Sequence, residues 1–75
     1  MMLSDGSVGM DYRVDGIELN DKIKRRLEIL GMTKNTVISV LNKKRTGTLI
    51  IKIRGTRFAL GRSITDGIVV RSDEE

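Results

Sequence analysis

The sequence predicts a mainly-β domain, a small barrel of about five strands with one short α-helix after the first strand. Three observations carry this. The stretch "TGTLIIKIRGTRFALGRSITDGIVV", Thr46 to Val70, reads as three short strands joined by minimal turns. A punctuated helical segment, Asn20 to Met32, precedes them. The whole chain has 75 residues, enough for a single compact core and no second domain.

The elements follow in order. Residues 1–9 carry Gly6 and Gly9 with Ser4, Asp5 and Ser7, and we expect a flexible start. In "MDYRVDGIEL" Tyr12 and Val14 alternate, then Gly16-Ile17, a first strand with a bend or bulge marked by Gly16. Asn20 suits the N-cap of a helix over about 21–30, with Ile23, Leu27 and Leu30 on one face. Asp21 with Arg25, and Lys24 with Glu28, are spaced for pairing four apart. Gly31 stands where a left-handed C-terminal cap is wanted, and Met32 is placed to fold back on the helix. "TVISVLNKK" predicts a strand with Ile38 and Val40 inward and Val37, Ser39 and Leu41 on the other side.

After a basic loop, Lys43 to Gly47, Leu49, Ile51 and Ile53 alternate with Ile50, Lys52 and Arg54. Gly55-Thr56 reads as the two-residue loop of a type II′ hairpin. That register sets Arg54 opposite Arg57, Ile53 opposite Phe58, Lys52 opposite Ala59 and Ile51 opposite Leu60. "SITDG" suits one helical turn capped by Ser63 and ended by Gly67, and "IVVR" a last strand with Ile68 and Val70 inward. The domain is expected over 10–71, with a disordered acidic tail over 72–75.

Composition excludes several function classes. There is no Cys and no His, and on that ground we expect neither a disulfide framework nor a zinc or haem site, both being excluded by composition. No apolar run approaches the roughly 20 residues of a membrane span. "MMLSDGSVGMDYRV" has neither the basic flank nor the apolar stretch of a signal peptide. No serine has a histidine to activate it, and the glycines form no phosphate-binding loop, so we expect no enzyme and no cofactor. Asp15, Glu18 and Asp21 read as a solvated acidic turn rather than a cation site, with Asp21 complementing the helix N-terminus. No metal ligands are assigned.

Charge is unevenly placed. The net charge is +4, yet Lys22 to Arg62 holds 12 basic residues and one acid, Glu28. Such a basic middle implies a positive surface on the folded domain. Lys52, Arg54, Arg57 and Arg62 are the candidate partner-binding residues, with small Ala59 and Gly61 on the same face leaving room for close approach.

"RRLEILGM" (Arg25 to Met32), "LIIKIRGTRFALGRS" (Leu49 to Ser63) and "DGIVV" (Asp66 to Val70) together resemble the FeoA family. Those are small SH3-like barrels of bacterial ferrous iron uptake, and a similar domain ends the DtxR-type regulators. The resemblance runs from about Gly9 to Val70. Many relatives have Pro-Gly at Lys34-Asn35 and Pro at Thr48; Asn35 can supply the left-handed turn that Gly would. The resemblance implies a cytoplasmic accessory of FeoB, the ferrous transporter with a cytosolic GTPase domain, held at the inner membrane only through that transporter.

Two other functions fit less well. A nucleic-acid-binding barrel would suit the charge, but Tyr12 and Phe58 are the only aromatics and Phe58 faces inward, whereas base stacking needs exposed rings. A stand-alone regulatory barrel of a metal-dependent repressor lacks the accompanying DNA-binding segment. Ile50 and Val69, on outer positions, leave weak self-association open.

Overall fold

Alternating apolar residues along five short strands build the core, in a computed structural model that describes residues 1–73. The elements are β1 (Asp11–Ile17), α1 (Asp21–Ile29), β2 (Val37–Lys43), β3 (Leu49–Ile53), β4 (Thr56–Leu60), α2 (Arg62–Thr65) and β5 (Ile68–Ser72). All strand pairs are antiparallel and the sheet order is β4-β3-β2-β1-β5. Register breaks between Val14 and Gly16 in β1 and between Val40 and Asn42 in β2 are bulges that increase local twist and help the sheet coil over its own apolar face. The expected five strands and post-β1 helix are present, and Tyr12, Val14, Ile38, Val40, Ile68 and Val70 all face inward.

The helix begins and ends as its residues dictate. The Asn20 side chain accepts a hydrogen bond from the Ile23 N–H at 3.0 Å. At the far end Gly31, with φ of +106°, closes a Schellman motif: Met32 N–H donates to Leu27 C=O, and Gly31 N–H to Glu28 C=O. Leu27 and Met32 are thereby driven into the core. Leu30, expected on the buried face, is exposed, because it is the C-cap and the chain has already begun to turn. The spaced pairs Asp21–Arg25 and Lys24–Glu28 do not close to ion-pair distance; all four side chains are solvated.

Three expectations need correction. Residues 1–9 are not a loose lead-in. Leu3, in a single 3-10 turn (Leu3–Asp5), is fully buried, and Met2 bridges Val69 on the outer edge of β5. Ser63 lies inside α2 rather than capping it; Gly61 is the N-cap and uses no side-chain bond. At the C-terminus Ser72 ends β5 and Asp73 pairs with Arg13 at 2.5 Å, so neither belongs to a disordered tail. The remainder of that expected tail, residues 74–75, lies outside the described residues.

Candidate functional site

The β3–β4 hairpin presents the basic residues singled out from the sequence, in a register different from the expected one. Its turn centres on Arg54 and Gly55, with φ of +50° and +84°, which is the type I′ geometry. The pairs are Ile53↔Thr56, Lys52↔Arg57, Ile51↔Phe58, Ile50↔Ala59 and Leu49↔Leu60. Each partner is displaced by two residues from the sequence reading. A displacement of two keeps every side chain that remains within β3 and β4 on its assigned face, while Arg54 passes into the turn. This register sets buried Leu49 opposite Leu60, whereas the expected one would set Leu49 opposite Arg62. The better apolar pairing outweighs the cost of a non-glycine residue at positive φ, about 1–2 kcal/mol.

The four candidate residues do not converge. Lys52 and Arg57 stand opposite each other in mid-hairpin, both exposed. Arg54, carried by the turn, lies against Gly31 and lines an open depression of about 410 Å³ with Thr33, Lys34 and Asn35. Arg62 sits beyond the other end of β4, its aliphatic stem over Gly47 and its guanidinium 3.7 Å from Asp66. The basic surface is thus a stripe. It runs from the α1–β2 loop at Arg54, through Lys52 and Arg57, to Arg62 beside the Lys44–Thr48 loop. The sequence reading grouped four charges by alternation; it could not foresee that two of them flank the strands.

A second like-charge pair in the same sheet shows how unusual the first is. Arg13 and Arg71 are directly opposite across β1 and β5. Each is neutralised: Arg13 by Asp73, and Arg71 by Asp15 with a further hydrogen bond to Asn35 Oδ1. Asn35 has φ of +72°, the left-handed conformation foreseen for it, and its carbonyl accepts from Arg13. Lys52, Arg54 and Arg57 have no ion pair among the described residues.

Other chemistry is sparse. Asp15 is engaged by Arg71 and does not gather with Glu18 and Asp21; among the described residues no three acids, His or Cys cluster in a way that would hold a metal. The Tyr12 ring is buried and its hydroxyl accepts from the Ser7 N–H at 2.8 Å, while Phe58 is half-buried against the core. Ile50 and Val69 are half-buried, and the backbone of Val69 bridges Met2. No helix among the described residues is long and apolar enough to cross a membrane.

Comparison with known proteins places this geometry. The family model described as "FeoA domain" matches residues 1–72. The FeoA of Stenotrophomonas maltophilia, a prokaryotic SH3 domain protein solved in complex with zinc, is 32% identical with a TM-score of 0.83, over 95% of this chain and 89% of that one. A FeoA-like protein from Clostridium acetobutylicum is 24% identical, with a TM-score of 0.86 over 100% of this chain and 88% of that one. The metal-dependent transcriptional regulator MtsR shares the fold at 15% identity and a TM-score of 0.83, over 95% of this chain and 35% of its own length. No match is found among curated protein sequences.

Proposed function

The chain belongs to the FeoA family, SH3-like domains linked to ferrous iron transport, and on that premise we propose that it is a non-catalytic interaction module of ferrous iron uptake. Its partner in this reading is the cytosolic GTPase domain of FeoB, which would place the protein in the cytoplasm and at the inner membrane only through the transporter. The observation that carries it is the Lys52–Arg57 pair in the middle of a basic stripe, which has no ion pair among the described residues. Like charges directly opposite destabilise a sheet, and the same fold neutralises Arg13 and Arg71 with acids of its own. An acidic surface on a partner would supply the missing counter-charge. Arg54 and Arg62 then act as flanking charges that steer approach.

The nucleic-acid reading draws on the same charge. It finds no exposed aromatic ring on this surface, since Tyr12 is buried and Phe58 is turned to the core.

The test is capture of this protein by the isolated cytosolic domain of FeoB. Exposed single pairs contribute about 0–1 kcal/mol each, so one neutral substitution should weaken capture only modestly. Reversing Lys52 and Arg57 together to Glu should abolish it, while a melting curve shows the variant folded. Undiminished capture by the folded double variant would reject this surface and turn attention to Lys24, Arg25 and Glu28 on α1.

A further inference from the structure

The two edges of the sheet are treated differently. On β5 the outer edge is taken up by the chain's own start: Met2 bridges Val69, Val70 N–H donates to Met1 C=O at 2.7 Å, and the Met1 amine donates back to Val70 C=O at 3.0 Å. On β4 nothing comparable occurs among the described residues. Ile53 and Thr56 flank the two-residue turn and form its hydrogen-bonded pair, so Lys52↔Arg57 and Ile50↔Ala59 are the non-hydrogen-bonded pairs. The N–H and C=O of Arg57 and Ala59 therefore point away from β3. Neither residue makes another hydrogen bond among the described residues, and both are exposed. An open edge of this kind is ordinarily shielded, because it is a template for pairing with another chain.

We propose that the β4 edge is a strand-addition site for an extended peptide segment in which acidic and apolar residues alternate. A strand laid beside β4 exchanges main-chain bonds with Arg57 and Ala59. Its side chains then fall alternately on the two faces of the sheet. On the outer face they meet Arg57 and Lys52, which call for carboxylates. On the inner face they meet half-buried Phe58 and the rim of the core, which call for Val or Ile. A second copy of this chain is the poorer occupant, because pairing β4 with β4 brings two sets of Lys52 and Arg57 together. Small Ala59 on the outer face leaves the approach open. The inference deepens the contact proposed above and rests on the same basic face, adding the kind of partner segment and the way it binds.

The experiment is amide NMR on the full chain with two end-blocked eight-residue peptides, one alternating Glu and Val and the other Lys and Val. With the Glu peptide at saturation, the Arg57 and Ala59 amides should shift saturably and exchange with solvent about tenfold more slowly, while the already bonded Phe58 amide changes little. The Lys peptide should leave all three unchanged. Absence of any shift at Arg57 and Ala59, or equal response to both peptides, overturns the proposal. So does a response confined to residues away from β4. Failure here with loss of FeoB capture on charge reversal would leave the basic face standing and remove strand addition. Docking of the Glu peptide without FeoB capture would establish the edge as a binding site and remove FeoB as its partner.

Discussion

Lys52 and Arg57 face each other across the β3–β4 hairpin in a non-hydrogen-bonded pair, and among the described residues no acid forms an ion pair with either. Side chains approach more closely in such pairs than in bonded ones. The repulsion lowers the stability of the free domain, and an acidic partner of the kind proposed above would relieve it.

Replacing Arg57 by Glu should therefore separate stability from binding. It turns a repulsive cross-strand pair into an attractive one, a gain of about 0.5 kcal/mol, which raises the melting midpoint by a few degrees in a domain of this size. The same change should weaken capture by the FeoB cytosolic domain. A midpoint that falls would show that Lys52 and Arg57 do not repel in the folded domain.

The turn gives a second pair of outcomes. Arg54 holds φ of +50° and Gly55 φ of +84°. Arg54→Asn produces the favoured Asn-Gly turn and should stabilise by about 0.5–1 kcal/mol. Gly55→Val places a β-branched residue at positive φ and should destabilise by more than 1 kcal/mol, roughly. Denaturant titration of the two variants reads both signs; equal stabilities would reject the type I′ assignment.

Gly67 is held by sterics. A Cβ there would stand 2.3 Å from Leu19 Cδ2 and 2.9 Å from the Glu18 carbonyl oxygen, and Glu18 N–H bonds to Gly67 C=O at 2.6 Å. Gly67→Ala should cost about 1–3 kcal/mol through overpacking. Leu19 can rotate away, but the Glu18 backbone cannot without losing that bond. A variant as stable as the parent in urea would show that the β1–α1 and α2–β5 connections are not packed together.

Leu3 tests the docking of the N-terminus. Its side chain is 0% exposed, in a turn that touches β5 and α2. Leu3→Ala should cost about 2–5 kcal/mol, a large part of the 5–15 kcal/mol typical of a whole domain. A change below about 0.5 kcal/mol, the usual range for surface positions, would return residues 1–9 to the loose segment expected from composition.

Alternation and punctuation determined much of this protein from the sequence alone. Period-two patterning placed Ile38, Val40, Ile51, Ile53, Ile68 and Val70 inward, and Asn20 and Gly31 bounded the helix, because side-chain direction and caps are local properties of the backbone. The basic character of the β3–β4 face was legible for the same reason. Which residues stand opposite one another was not. A shift of two preserves every face, so alternation could not tell Arg54 from Lys52 as the partner of Arg57. Tertiary packing decided it, by setting Leu49 against Leu60. Nor could a short glycine-bearing segment announce that Leu3 fills the core, that Met1 and Met2 cover the β5 edge, or that the described residues leave the β4 edge open. Those outcomes depend on contacts between residues more than fifty positions apart in some cases, such as Met2 with Val69, and no local pattern encodes such contacts.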